Sequence, residues 1–556
     1  MNAHSGRHCA RLTAMAAGAI SMAAVLANPV LADDKELLDA LLKNGIITNE
    51  QYQKLSAKGS TGGASSELLE ILAKNGAITK DQHAHLAKKQ SEEKQQVAAK
   101  EKPAEEKDAG RVKLGANGLE FESNDGNFKA KIGGRIQVDT QVNWNDPDGA
   151  GKGTTDLSND VGFRRARIYT DGTFFKDYDY RFEYDWARNG GGTQGITDAF
   201  IRYTGFKPFS LTIGQQNEGK SMESVMSNNY LTFIERSLPN NAFLEAGPAS
   251  KYQLGIIGDT YGKLYDLPYT LRGGITTESV GAPAPGNSSN NAQGSINRNR
   301  FSGNTGYQLV GRATFAPYRD QDGTVLHTGA WGSWRSINNH YNTDGSYRNG
   351  GWQFVSQPDT NMDRTSWIDT GNLTKGTRGT AGWREVDDIS MYGLELAGAW
   401  GPAHFSAEYM QAQISGHGYS SEDSLEGFYA YAGYFLTGEN RPYDDKKGVW
   451  GRVVPKHNFL GGSGWGAWEV AARYDLMDMN TKNINGGSIG AGTVALNWYL
   501  TPRLRLMTNW VHVFNVRTAQ ADKCKPAENA TSSSASIACF NGLNPDIWET
   551  AVRFDF

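Results

Sequence analysis

The side chains with the most chemical potential in this sequence are charged groups set out at regular intervals. Lys129, Lys131 and Arg135 take alternate positions in the stretch 128–139, and Phe163-Arg164-Arg165-Ala166-Arg167 gathers three guanidiniums. A second group, Glu218, Lys220, Glu223, Glu235 and Arg236, falls in the stretch 215–250, around the helical-looking Met222-Glu223-Ser224-Val225-Met226. Fixed cations in a confined space attract and order anions, and fixed carboxylates do the same for cations. The groups needed to make or break bonds are not assembled. His327, His340 and His512 have no metal-ligand spacing around them. No Asn-His-Ser arrangement suggests a lipid hydrolase, and Cys524 and Cys539 lie in no metal or redox motif. The pattern points to handling of small ions rather than to catalysis, and no cofactor or metal is expected.

Such charges need a scaffold that turns them toward one another, and the sequence supplies it by a period of two. In residues 128–139 the even positions are Phe, Ala, Ile, Gly, Ile and Val, and the odd ones Lys, Lys, Gly, Arg, Gln and Asp. Tyr180-Arg181-Phe182-Glu183-Tyr184-Asp185-Trp186 alternates in the same way, as do the stretches beginning at Trp468 and Trp548. Strict alternation makes a strand with one apolar and one charged face. The spacing predicts strands near 128–142, 162–174, 178–188, 196–204, 208–214, 251–260, 264–277, 306–317, 325–336, 389–400, 403–414, 427–437, 465–477, 487–499, 503–516 and 546–556. Short turns and long loops mostly alternate between them. The fold class expected is an all-β transmembrane barrel of roughly 16 antiparallel strands.

Composition agrees. The chain has 66 Gly, 24 Tyr, 22 Phe and 14 Trp but only 38% hydrophobic residues, and a mean hydropathy of -0.55. Helical membrane proteins need apolar runs of about 20 residues, whereas a barrel facing lipid outside and water inside needs apolar side chains only at every second position. A net charge of -4 gives no reason to expect nucleic acid as a partner. Alternation places Lys129, Lys131, Arg135, Arg165, Arg167 and Arg181 inward with Glu183, Asp185 and Asp198, because a charge on the lipid face costs about 2–4 kcal/mol at mid-depth. The stretch 215–250 follows the fifth strand. A long loop there is expected to fold into the lumen, so that its charges set selectivity.

The ends of the chain read differently. Residues 1–32 have the features of a signal peptide: Arg7 and Arg11, an apolar stretch, and a small-residue cleavage site at Val30-Leu31-Ala32. Residues 33–110 form a periplasmic segment of helical repeats and a charged spacer. The repeat starting Glu36-Leu37-Leu38 recurs from Glu67-Leu68-Leu69, and Thr48 and Thr79 can cap short second helices. Residues 111–556 form the barrel, and strand parity places both of its ends in the periplasm. In that oxidising compartment Cys524 and Cys539 are expected to form a disulfide, closing a loop of roughly 16 residues for on the order of 3 kcal/mol. The terminal strand ending on Phe556 resembles the signal read by the barrel-assembly machinery.

Several stretches together resemble the phosphate-selective porin O and P family. They are Lys131-Ile132-Gly133-Gly134-Arg135-Ile136-Gln137, the Phe163-Arg164-Arg165-Ala166-Arg167 motif, Tyr203-Thr204-Gly205-Phe206-Lys207-Pro208, Tyr230-Leu231-Thr232-Phe233-Ile234-Glu235-Arg236-Ser237-Leu238, Leu436-Thr437-Gly438-Glu439-Asn440-Arg441 and Gly466-Ala467-Trp468-Glu469. The resemblance covers residues 112–556 in order. It implies a sixteen-stranded homotrimeric outer-membrane channel, embedded in outer-membrane lipid, that passes small inorganic anions including phosphate. It also implies that Arg164, Arg165 and Arg236 help line a central site. A lysine of that site would fall at Ser224, and an arginine-rich loop near 345–365 is reduced to Arg348 and Arg364. The expectation is therefore a general or weakly anion-selective pore. The alternative is a general or cation-leaning porin that also tethers the outer membrane to the cell envelope through its periplasmic segment.

Overall fold

The computed structural model describes residues 110–115, 118–144, 159–188, 195–245, 251–277, 306–349, 351–363, 366–462, 464–518 and 544–556, with short stretches between 42 and 84. The signal segment 1–32, Thr79, the loop 278–305, Arg364, Cys524 and Cys539 lie outside the described residues. The chain separates into two compact units, Met1–Ala109 and Gly110–Phe556. In the first, Thr48 caps the helix Asn49–Ser56: its hydroxyl accepts from Gln51 N at 3.3 Å while Gln51 Oε1 accepts from Thr48 N at 2.9 Å. This reciprocal box satisfies two amides that a helix start leaves open.

In the second unit, sixteen antiparallel strands close into a barrel. They are β1 (Phe128–Trp144), β2 (Asp160–Phe174), β3 (Tyr178–Asp185), β4 (Ile196–Tyr203), β5 (Phe209–Asn217), β6 (Tyr252–Leu264), β7 (Leu267–Thr276) and β8 (Gln308–Arg319). There follow β9 (Val325–Ser336), β10 (Glu385–Trp400), β11 (Ala403–His417), β12 (Ser424–Phe435), β13 (Ala467–Asn480), β14 (Asn485–Tyr499), β15 (Leu504–Thr518) and β16 (Asp546–Asp555). β16 pairs with β1 from Asp546↔Trp144 to Asp555↔Arg135, which leaves no open edge. A small hairpin, Arg111–Gly115 with Gly118–Glu122, extends the sheet from the start of β1. All the expected strands are present, and the differences lie at their ends, where β10 and β6 run beyond the clean alternation.

Local chemistry explains the closure. The β6–β7 turn, Tyr265-Asp266, has positive φ at both residues (50° and 64°), which matches the right-handed twist of the paired strands. Phe556 exchanges backbone hydrogen bonds with Gly134 at 3.1 Å. A Cβ at Gly134 would lie 2.4 Å from the Phe556 ring, so only glycine lets the last residue seat against β1. The outward positions are apolar and exposed, among them Ile136, Phe163, Ile213, Leu394, Val494 and Val552. Trp144 marks one end of the wall, and Trp400 and Trp465 the other, as interfacial aromatics do.

Three insertions enter the lumen. One is 218–245, between β5 and β6. A second belongs to 337–384, whose Trp352, Phe354, Trp367 and Ile368 pack inside the barrel. The third comes from the opposite end. The stretch 436–466 is long for a turn on that side because it folds back as a hairpin, Tyr443–Asp444 with Val449–Trp450. The fully buried Trp450 donates Nε1–H to Ser406 Oγ at 2.8 Å.

Candidate functional site

The loop segment 218–245 is the centre of the site, and its backbone is held from one side. Ser221 (φ 63°) caps the short helix α1 (Met222–Val225) by accepting from Ser224 N. The inward Glu408 of β11 accepts from Met222 N at 3.1 Å, Glu223 N at 2.9 Å, Ser221 Oγ at 3.1 Å and Tyr429 Oη at 2.6 Å. Its carboxylate thus satisfies the open amides at the helix start. Asn228–Tyr230 then form a 3-10 turn, residues 232–235 follow as bends, and carbonyls along this stretch accept hydrogen bonds from the wall. Arg553 donates to Asn228 O at 2.8 Å and also to Ile234 O, while Arg505 donates to Leu231 O at 2.7 Å. Asn497 reaches Thr232 O at 2.8 Å, Arg473 reaches Glu235 O at 2.9 Å, and Arg441 reaches Tyr230 O. The apolar side of the loop completes the attachment: Phe233, Leu238, Ala242, Phe243 and Leu244 form one core with inward residues of β9 through β16. Each such side chain removed from water is worth roughly 1.5–3 kcal/mol.

The expected site residues fall into three positions. Lys129 and Lys131 lie near the turn end of β1. Lys129 is largely exposed and pairs with Glu122 at 2.9 Å, and Lys131 sits 5.7 Å from the Tyr169 ring centre. Arg135, Arg164, Arg165 and Arg167 form a cluster inside the barrel. A bulge in the β1–β2 pairing, where Gln137↔Arg165 is followed by Val138↔Phe163, leaves Arg164 unpaired and turns it inward beside Arg165. Arg164 grips Glu235 with two bonds of 2.6 and 3.0 Å, Arg165 donates to Gln137 at 2.6 Å, and Arg167 bridges Glu183 (2.7 Å) and Asp185 (2.8 Å). Arg135 lies beside Ser227 at 3.5 Å.

Lys220, Glu223 and Arg236 are inside the loop. Lys220 pairs with Glu218 at 2.7 Å, and burial pulls its ammonium below the usual lysine range against that attraction. Glu223 accepts from Ser237 N and from Ser237 Oγ (2.8 Å), and burial raises its carboxyl despite Arg473 and Arg236. Arg236 donates to Glu223 O (2.9 Å), Met226 O (3.0 Å) and Glu245 (2.8 Å), so its guanidinium holds the loop's own turns together. Burial alone would raise the carboxyl of Glu235, but Arg164 outweighs it and brings the value down to about 2. Ser224, where a lysine would stand in the resembling family, is buried and bonded to Ser221 and Asn217. Ser356 and Gln357 bond to backbone carbonyls of Leu238 and Thr360, and Arg348 lies in the strand Tyr347–Asn349.

The other half of the wall is wet. Inward from β2 to β7 come charges that keep partial exposure: Asp171, Arg181, Asp198, Arg202, Asp259 and Arg272. Arg181 bridges Asp171 (3.1 Å), Glu183 (2.7 Å) and Asp198 (3.5 Å) and stacks 4.2 Å from the Tyr169 ring centre. Arg202 lies 3.7 Å from Asp259. Arg272 donates to Gln216 (3.2 Å) and Asn217 O (2.5 Å). Among these six, three cations face three carboxylates, so the local field of the group nearly balances.

Sequence reasoning did not single out Glu408, Arg441, Arg473, Arg505, Asp475, Glu549 or Arg553. For all but Arg441, which lies in the insertion 436–466, the available signal was their place on the charged face of alternating strands. Arg473 pairs with Asp359 at 2.6 Å and Asp475 at 3.4 Å, while Glu549 is buried with one carboxylate oxygen unpartnered.

Comparison with known proteins gives a consistent set. A sequence model described as phosphate-selective porin O and P matches residues 130–533. An uncharacterized protein of Caulobacter vibrioides is 31% identical over 399 residues, covering 70% of this chain and 69% of that one. Porin O of Pseudomonas aeruginosa is 26% identical over 415 residues, covering 71% of this chain and 85% of that one. A solved anion-selective porin from Comamonas acidovorans aligns with a TM-score of 0.40 at 11% identity, over 77% of this chain and 100% of that one.

Proposed function

The chain belongs to the phosphate-selective porin O and P family, and from that premise we propose that this outer-membrane porin is a general pore of weak anion preference, through which phosphate passes without being held tightly. One observation carries the reading: three of the cations that could grip a dianion are already engaged by carboxylates, which leaves Arg165, bound to Gln137, and Arg135, beside Ser227, as the buried cations of the cluster without one. Arg164 is neutralised by Glu235, Arg167 by Glu183 and Asp185, and Arg236 by Glu245 and two carbonyls. Holding an oxyanion away from bulk water takes several uncommitted, hydrogen-bonding cations around it, and Ser224, Ser356 and Gln357 supply none. The wet wall contributes Arg181, Arg202 and Arg272 against Asp171, Asp198 and Asp259, a mixture that discriminates weakly.

A cation-leaning pore is the second reading, favoured by the unpaired Glu549 and by Asp139, which lies two residues further along in the β16–β1 register. Reversal potential in a potassium chloride gradient across a bilayer separates the two. The first reading expects a small shift toward the chloride potential, and a shift toward potassium would replace it with the second. The proposal includes a homotrimer, which unheated electrophoresis would show as a band several times larger than the heated chain. The second reading also gives residues 33–110 a periplasmic role as a tether: deletion of that segment should leave conductance intact and weaken attachment of the outer membrane to the envelope.

A further inference from the structure

One guanidinium inside the lumen is surrounded by more carboxylate than it can neutralise. Arg473 of β13 pairs with Asp359 of the insertion 337–384 at 2.6 Å and with Asp475, on the same face of its own strand, at 3.4 Å. Glu223 of the loop lies 3.9 Å away, and none of these four residues is more than 4% exposed. Among the described residues, the charges around them do not restore the balance. Glu549 of β16 adds another buried carboxylate, Arg236 is taken by Glu245 and two carbonyls, and Arg164 is taken by Glu235. Asp475 lies within hydrogen-bonding reach of Asp359. Both ionised side chains can only accept, and Asp359 Oδ1 and Asp475 Oδ1 are left without a hydrogen-bond partner.

Two carboxylates in contact in a dry site cannot both ionise; one keeps its proton and donates it to the other. Such a proton satisfies the orphaned oxygens and leaves the pair with one negative charge for Arg473. Its position makes it a fastening. Asp475 also accepts from Leu238 N of the loop at 2.9 Å, and Ser356 of the insertion donates to Leu238 O at 3.4 Å. Thr493 of β14 donates to Asp359 at 3.4 Å. We propose that one proton shared by Asp359 and Asp475 latches the insertion 337–384 to the loop and the wall, and that its loss to base in the medium frees the insertion and widens the pore. The latch is complete in acid and fails as the pH rises through the titration of the pair, which a dry shared site can carry as high as about 8–9. Neither the proton nor its release depends on the sign of the ions that pass, so this device and the proposed function fail separately.

Single-channel recording of the intact protein in a bilayer, from about pH 6 to about pH 10, tests the latch. Wild-type conductance should rise reversibly by about half on the alkaline side of neutrality. Asp475→Asn, whose amide donates to Asp359 at every pH, should stay at the lower conductance throughout, and Asp359→Asn should do the same. Both barrels are to be shown folded by heat-modifiable electrophoresis. The other groups that lose protons in this range are lysines of the same loop region, Lys220 beside Glu218 at 2.7 Å and Lys251 beside Glu245 at 2.6 Å. An alkaline step that survives both Asn variants belongs to those lysines and overturns the proposal. So does a wild-type conductance unchanged across the range. Infrared difference spectra of wild-type protein provide a reading that needs no variant: a protonated-carboxyl band present at neutral pH should disappear in base, and its absence at neutral pH overturns the shared proton.

Discussion

The two halves of the barrel wall use the same alternating strands to opposite ends. Along β9–β16 the inward positions are Trp331, Met391, Met410, Leu425, Met477, Ala491 and Val511, closed over by the loop residues Phe233, Leu238 and Phe243 into a dry core. Along β2–β7 the inward positions are charged and partly wet, with Arg181, Asp198, Arg202 and Asp259 paired across neighbouring strands. Polar groups inside the dry half serve structure: Arg473, Arg505, Arg553 and Asn497 donate to loop carbonyls, and Glu408 holds a helix start. Those on the wet half keep contact with water, and under the proposed function they are the groups a passing ion meets. A charge inside a barrel therefore shapes selectivity only where the loop leaves it in contact with water.

That contrast makes substitutions on the two sides behave differently. Arg473→Ala should have the largest effect. It strips Asp359 and Asp475 of their cation, and breaking a buried pair in this way costs about 3–5 kcal/mol. Larger and noisier single-channel conductance should follow as the loop leaves the wall; a quiet channel of unchanged size would place the loop's hold elsewhere. Arg236→Ala comes next. It leaves two carbonyls unpartnered, at about 1–3 kcal/mol each. The expected readout is again conductance and thermal stability, with little change in reversal potential. A pure selectivity shift at constant conductance would contradict the structural role described for Arg236.

On the wet side the order reverses. Arg202→Gln removes a partly exposed pair with Asp259 and should change stability by less than about 1 kcal/mol. Reversal potential should nevertheless move toward potassium. If it does not, the ion route lies away from β4–β6. The smallest effect is expected from acid. The carboxyl of Glu235 sits at about 2, below its ordinary 4.5. A depressed value means that its contribution is complete above the ordinary value and fades as pH falls through the folded one. Conductance should therefore hold steady from neutral pH to about 5 and become unstable only as the pH approaches about 2. Channel closure near pH 5 would point to a different titrating group.

Much of this organisation is legible in the sequence. The period of two exposes the strands because each has one lipid face and one lumen face, and the length of 215–250 after the fifth strand marks the loop. Which inward charges meet water is not legible, because that depends on where the loop docks. Alternation places Arg165 and Arg167 inward, yet the bulge that adds Arg164 lies in the pairing of β1 with β2. Arg236 sits in the loop beside Glu235, and only the folded backbone shows it returning to Glu223 and Met226. The donors to the backbone carbonyls of residues 228–235 come from Arg441 and from β13, β14, β15 and β16, more than 200 positions away, as in Arg473 to Glu235, separated by 238 residues. The gap between the strands expected near 427–437 and 465–477 is long in the sequence, but the fold back that buries Trp450 depends on Ser406 and Tyr443, remote in the chain or paired across the hairpin.

The central claim is that the family's pore persists here without a tight phosphate site. Its most direct test is to titrate phosphate against a steady chloride current through the purified channel in a bilayer. With Arg164, Arg167 and Arg236 already engaged, phosphate at millimolar concentration should leave that current nearly unchanged, about the behaviour of an ion that passes without lodging. Block at micromolar phosphate would show a strong site and contradict the account.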